Sequence, residues 1–245
     1  DFGTKSVGDI ERELKKFSEE RKMELILPSL YSELEGDALP KIVNEISKTN
    51  YLNHIIIGLD RANKSQAQKA WKFFKKIKTP FTILWNDGPK LKKLNDELKK
   101  NDLAPNEYGK GRNVWYCLGM CIARDEARSV ALHDCDIKTY DRRMLAKLFY
   151  PVVNPLFNFE FCKGYYPRVA HNKMGGRVAR LLVFPLITAL EKTIGKSDYL
   201  EFMKSFKYPL AGEFSFRRNV LPELRISSDW GIEVGVLSEM QRNFS

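Results

Sequence analysis

Ser129-Val130-Ala131-Leu132-His133-Asp134-Cys135-Asp136 is the stretch on which the reading of this chain turns. Its first four residues read as a short buried strand, and two aspartates follow at the C-terminal end. Side chains alternate along an extended chain, so Asp134 and Asp136 fall on one side, close together. Carboxylates placed this way repel unless something positive sits between them, and the usual partner is a hard divalent cation such as Mg²⁺ or Mn²⁺. The same residues have a plainer reading as the cap of a helix beginning in Asp136-Ile137-Lys138-Thr139-Tyr140-Asp141.

Upstream, apolar runs alternate with helical spacing. Met23–Pro28 reads as a strand stopped by proline, His54–Asp60 as a second strand and Phe81–Trp85 as a third. Residues 37–48 place Leu39, Ile42, Val43 and Ile46 at helical intervals, and 64–77 do the same with Ala67, Ala70, Trp71 and Phe74. Residues 89–100 predict a solvated lysine-rich helix, and 113–127 a helix running into the Ser129 strand. Residues 9–22 predict an exposed charged helix leading into the domain. Continuous apolar strands alternating with helices define an α/β protein with a mostly parallel sheet covered on both faces. Ligands in such sheets bind beyond the C-terminal strand ends. Four polar clusters lie at those ends: Pro28–Glu33, Asp60-Arg61, Asn86-Asp87-Gly88 and Asp134–Asp136. From residue 151 prolines break the pattern, and the second half is expected to complete the same globule.

Length, at 245 residues, allows a substantial core. The formal net charge of +10 favours anionic partners without choosing among them. Cys117 and Cys121, one helical turn apart in an apolar stretch, read as buried thiols rather than half a zinc site, and no Cys-x-x-Cys pair occurs. A reducing, cytoplasmic compartment is expected, with no signal peptide at the charged N-terminus. The most apolar run, Leu181–Ile187, is far short of the roughly 20 residues that span a bilayer.

Several further constellations carry chemistry. Asp-x-Asp after a hydrophobic strand is how nucleotide-sugar glycosyltransferases hold a metal on a diphosphate leaving group. Gly109-Lys110-Gly111-Arg112-Asn113 precedes a helix and offers an anion cradle, the plain alternative being a solvated basic loop. Lys173-Met174-Gly175-Gly176-Arg177-Val178-Ala179-Arg180 repeats the theme, with Arg177 and Arg180 on one helical face suited to phosphate or carboxylate. Pro209-Leu210-Ala211-Gly212-Glu213 is an apolar turn ending in an acid. Asp229 and Glu233 fall on one face if helical, and acids in that apolar setting are costly unless they bind something. His54 and His171 stand alone, and His133 adjoins the aspartates.

Taken in order, Leu25–Glu33, Gly109-Lys110-Gly111, His133–Asp136, Gly175-Gly176-Arg177-Val178, Pro209–Glu213 and Trp230–Glu233 resemble the glucosyl-3-phosphoglycerate synthases, retaining GT-A glycosyltransferases. The resemblance covers roughly residues 23–240. It implies a Rossmann-like GT-A fold with a helical extension (1–22), a nucleotide-sugar-binding half (23–140) and an acceptor-binding half (141–245). It implies transfer of glucose from UDP-glucose, or another NDP-glucose, to 3-phosphoglycerate, with Mg²⁺ or Mn²⁺ as cofactor and a homodimer as the assembly. The product would be a precursor of the compatible solute glucosylglycerate. Pro28, Ser29, Leu30 and Glu33 would contact the uridine, with Asp60 beside them and Lys110 on the diphosphate. Asp134 and Asp136 would handle ribose and metal. Gly175, Gly176, Arg177 and Arg180 would hold the acceptor phosphate, and Leu210 and Glu233 would line the glucose pocket.

Two departures stand out. The uridine loop reads Tyr31-Ser32-Glu33 where relatives carry Asn-Glu, which bears on the donor base. The family's histidine ligand downstream of Glu233 has no counterpart before Ser245, as expected of a C-terminally truncated domain with an incomplete metal shell. Two other readings compete: a glycosyltransferase using a GDP-sugar or a lipid acceptor, and a basic nucleic-acid-binding protein. Against the second, no helix-turn-helix, zinc-finger or RNA-recognition pattern appears, and the lysines of 90–100 lack interleaved aromatics.

Overall fold

The structure, a computed structural model, describes residues 5–105, 107–157, 159–166, 169–170 and 173–244. β1 (Met23–Leu30), β2 (His54–Asp60), β3 (Phe81–Trp85) and β4 (Ser129–Leu132) run parallel in the order β3-β2-β1-β4. The sheet continues past β4 with two strands from the second half, β8 (Phe214–Arg217) and β5 (Phe161–Lys163), added antiparallel. A short hairpin pairs β6 (Val169–Ala170) with β7 (Lys173–Met174). The second half therefore completes the first half's sheet, as expected.

Alternation along β1 builds the layers. Leu25 and Leu27 join a core with α1 (Val7–Phe17), α2 (Ala38–Ile46), α3 (Lys64–Phe74) and α6 (Arg142–Val153). Ile26 points the other way, into a core with Val114, Cys117 and Cys121 of α5 (Lys110–Arg124) and Val236 and Met240 of α9 (Ile232–Phe244). Helices thus cover both faces, and β1, β2 and β4 are buried along almost their whole length; α4 (Pro89–Lys100), α7 (Phe184–Ile194) and α8 (Asp198–Ser205) are the other α-helices of the described residues. Cys117 and Cys121 are the buried thiols their spacing predicts.

Two expectations and one alternative reading need correction. Pro28 does not stop β1 but lies inside it, opposite Gly58. The Ile26 carbonyl faces the β4 side, where it accepts from His133 N, so Pro28, two residues on, faces that side too. The β4 ladder ends at Ile26, so the missing proline N–H forfeits no sheet bond. The first helix is not simply exposed: Ile10 and Leu14 are fully buried, and α1 packs on α6. The carboxyl of Asp141, not of Asp134 or Asp136, caps α6 by accepting from Arg143 N at 2.8 Å.

The chain fills the sheet outward from β1 on one side (β2, β3) and then returns to β4 on the other. β1 and β4 therefore flank the topological switch point, where a crevice opens beyond the strand ends. Among the described residues, no helix is long and apolar enough to cross a membrane.

Candidate active site

The crevice is a cleft of about 380 Å³ lined by the loops after β1, β2 and β4, the start of α5 and the segment leading into α9. It gathers Pro28, Ser29, Leu30, Glu33, Asp60, Lys110, Asp134, Asp136 and Glu233. Every donor-side and metal-side residue expected from the sequence is present, from positions more than 200 residues apart. Of the four polar clusters at strand ends, Asn86-Asp87-Gly88 stays outside: Asp87 accepts from Ala62 N at 3.0 Å and braces the β2–α3 loop.

Lys110 organises the floor. Its Nζ lies 2.6 Å from Asp134 Oδ1 and 2.8 Å from Glu233 Oε1, joining β4's end to α9's first turn. Burial alone would lower the Lys110 pKa; the two carboxylates outweigh it and hold it above the ordinary lysine value. Burial raises the Glu33 pKa, and Asp136 and Asp134 add to the effect, while Leu30 N donates to its Oε2 at 3.0 Å. Burial likewise raises Asp60, which accepts from Arg61 N at 3.1 Å. Tyr31 packs into the core, so the loop after β1 presents Glu33 rather than Tyr31 to the cleft.

The glycines of the Gly109-Lys110-Gly111 motif have a different task from the one their sequence suggests. They do not form a loop before the helix; Gly109 is the cap and Lys110 its first residue. Gly111 N donates to Asp229 O at 3.2 Å and Arg112 N to Ser228 O at 2.6 Å. A Cβ on Gly111 would overlap the Ser227 carbonyl, and one on Gly109 would sit 2.6 Å from Asp229 Cα. The motif is bare so that residues 227–231 can lie against it. These two amides are spent on the protein.

Gly212, in the turn before β8, presses on the aspartate pair from the other side: a Cβ there would overlap Asp134 Oδ2. Leu210 is half-buried in the same turn and does not line the cleft. Its motif reaches the site through Gly212 instead. Gly175, Gly176, Arg177 and Arg180 also lie outside the cleft. Gly176 needs its left-handed backbone (φ 74°) and faces the Tyr208 ring at the base of that turn. Arg177 is exposed, and Arg180 donates to Gly175 O at 3.3 Å.

Sequence reasoning missed Tyr108 and, as a contact residue, Trp230; Arg61 and Asn113, each singled out within a larger cluster, do line the cleft. Tyr108 and Trp230 are 75% and 83% exposed, large rings left at the cleft mouth. An aromatic beside Gly109 was the available signal for Tyr108. His133 is not a ligand: it is fully buried against Tyr140, 5.3 Å between ring centroids. His54 is a packed strand histidine bonded to Thr82 Oγ1 at 2.9 Å, and His171 lies outside the described residues.

Charge decides what the cleft can hold. Glu33, Asp60, Asp134, Asp136, Asp229 and Glu233 face it against two cations, Lys110 and Arg61. In a chain of net charge +10 this is a local reversal of sign. Among the described residues no three His, Cys, Asp or Glu side chains cluster as a complete metal shell. Asp134 and Asp136 supply hard oxygens, as Mg²⁺ or Mn²⁺ prefers, and such ions commonly complete their shell with water and phosphate oxygens.

No protein-family model matches the chain. It is 45% identical, over its whole length, to the glucosyl-3-phosphoglycerate synthase of Persephonella marina, and 39% identical over 91% of its length to that of Methanococcoides burtonii. It spans 60% and 55% of those two proteins. Among solved structures it matches mannosyl-3-phosphoglycerate synthase from Rubrobacter xylanophilus with a TM-score of 0.69 at 20% identity, covering 99% of this chain and 68% of that one. It matches glucosyl-3-phosphoglycerate synthase from Mycobacterium tuberculosis, in complex with Mn²⁺, UDP and glucosyl-3-phosphoglycerate, with a TM-score of 0.63 at 20% identity, covering 94% and 68%. The GT-A fold expected from the motifs is thereby established, and the resemblance to this family extends along the whole chain.

Proposed function

We propose that this chain carries the nucleotide-sugar cleft of a metal-dependent, retaining glucosyltransferase that moves glucose from UDP-glucose to 3-phosphoglycerate. The observation that carries the reading is Lys110 held between Asp134 and Glu233 in a carboxylate-rich cleft at the sheet's switch point. Such a cleft repels a bare diphosphate and equally a nucleic acid. It accepts a diphosphate that arrives with a divalent cation, and the related Mycobacterium tuberculosis enzyme has been solved with Mn²⁺ and UDP-glucose, and with phosphoglyceric acid.

Asp134 and Asp136 would hold Mg²⁺ or Mn²⁺, which supplies positive charge to the departing diphosphate. Lys110 is poised to exchange one carboxylate for a phosphate oxygen, adding a buried ammonium where negative charge develops. Glu233, on the same lysine, would hold glucose hydroxyls. Pro28, Ser29, Leu30 and Glu33 would frame the base, with Tyr108 and Trp230 at the mouth. Gly175, Gly176, Arg177 and Arg180 would fix the acceptor phosphate, with the Tyr208–Gly212 turn between them and Asp134. The C1–O bond to diphosphate breaks as C1 bonds the acceptor hydroxyl on the same face, and the hydroxyl proton passes to a diphosphate oxygen.

Calorimetric titration with UDP tests the donor half. Binding is expected to strengthen at least tenfold with Mn²⁺ and to lose that gain in Asp136→Ala. Equal binding with and without the cation would remove the reading.

A further inference from the structure

A second cleft, of about 470 Å³, opens at the opposite end of the strands of the same sheet, where β4 begins and β8 ends. Arg21, Arg128, Arg217 and Arg218 line it, against the single carboxylate of Glu20. Three of the guanidinium groups have a structural task, Arg218 among them, its Nη2 donating to Ile122 O at 3.2 Å at the C-terminal end of α5. Arg21 donates to Val153 O at 3.1 Å and Arg217 to Val152 O at 3.3 Å, both carbonyls at the C-terminal end of α6.

Capping does not account for the rest. Ser129 lines the cleft, is 2% exposed, and its hydroxyl has no hydrogen-bond partner. Arg218 pairs with Asp125 at 2.6 Å through Nη2, yet its Nε is buried and unpartnered. Arg128 is exposed and has no ion pair among the described residues. A buried hydroxyl and a buried guanidinium N–H without acceptors are both costly. Four arginines against the two carboxylates of Glu20 and Asp125 leave an excess of positive charge, which adds self-repulsion. One ligand removes all three penalties: an oxyanion with several acceptor oxygens, for which guanidinium forks are the preferred partners.

We propose that this arginine cleft is a second ligand site, binding a small phosphate-bearing anion of about pyrophosphate size, separate from the sugar-nucleotide cleft. Ser129 opens β4 and Asp134 lies beyond its end, five residues or about 16 Å away along the strand rise. The two clefts thus sit at opposite ends of one strand and do not share residues.

The test is calorimetric titration of the chain with inorganic pyrophosphate in EDTA, which withholds the cation that the front cleft requires. Saturable one-to-one binding is expected, weakened at least tenfold in Arg128→Gln and several-fold in Ser129→Ala, and within twofold of wild type in Lys110→Gln. Thermal melting of each variant verifies its fold; Arg128 is at the surface and Ser129→Ala removes only an unpaired hydroxyl. Citrate, of comparable charge but without phosphorus, is expected to bind at least tenfold more weakly. No saturable binding, binding that Arg128→Gln leaves within twofold, or equal binding of citrate would each overturn the proposal.

Discussion

Gly212 meets Asp134 with no room for a side chain, since a Cβ at that position would overlap Oδ2 of the carboxylate. The turn before β8 is thus the wall against which Asp134, proposed above as a metal ligand, rests. Gly212→Ala is expected to displace Asp134, at a packing cost of about 1–3 kcal/mol. UDP titration should show the Mn²⁺-dependent gain in affinity reduced at least tenfold, while circular dichroism reports an intact fold. Retained metal dependence would mean that the wall is not required.

Lys110 is the cation common to Asp134 and Glu233. Lys110→Gln keeps a neutral donor on a slightly shorter side chain and removes the charge. Loss of one preorganised donor at a developing negative charge lowers kcat by about 100- to 1000-fold. The expected outcome is a fall of that size in glucosyl transfer, with the 3-phosphoglycerate KM little changed.

Gly111 tests the docking of residues 227–231. Gly111→Ala places a Cβ against the Ser227 carbonyl, which is backbone and yields poorly. The segment carrying Asp229 and Trp230 should lift from α5, raising backbone hydrogen exchange over residues 227–233 and weakening UDP binding. Unchanged exchange there would contradict the account.

His133 is kept neutral by burial, which pushes its pKa down to about 3, and neither ring nitrogen has a hydrogen-bond partner. In the unfolded chain the ring titrates near 6.5. Between those values the unfolded state binds a proton that the folded state refuses, so stability falls as pH falls from about 6.5 towards 3. Relative to His133→Gln, the wild type should lose roughly 1.4 kcal/mol per pH unit across this window. Urea unfolding at a series of pH values measures it; parallel curves for the two proteins would contradict it.

Three of the first four strands were legible because they depend on local pattern, while Asp134 and Asp136 face the cleft from the turn after β4 rather than from an extended strand. His54–Asp60, Phe81–Trp85 and Ser129–Leu132 form the strands their apolar runs predict. Long-range contacts were not legible. Pro28 sits inside β1 because β4 ends two residues short of it, a fact of register. Gly109 and Gly111 read as an anion cradle, yet they are bare to admit a chain segment more than 110 residues away. Leu210 drew notice in a motif whose contact with the site is made by Gly212. The partial exposure of α1 concealed Ile10 and Leu14, because its charged residues outnumber the two that pack.

The most direct test of the central claim is mass spectrometry of the chain incubated with UDP-glucose, 3-phosphoglycerate and Mn²⁺, each omitted in turn. The account predicts glucosyl-3-phosphoglycerate and UDP in equal amounts, dependent on all three components and abolished in Asp136→Ala. Product that persists in Asp136→Ala, or glucose transferred while 3-phosphoglycerate remains untouched, would contradict it.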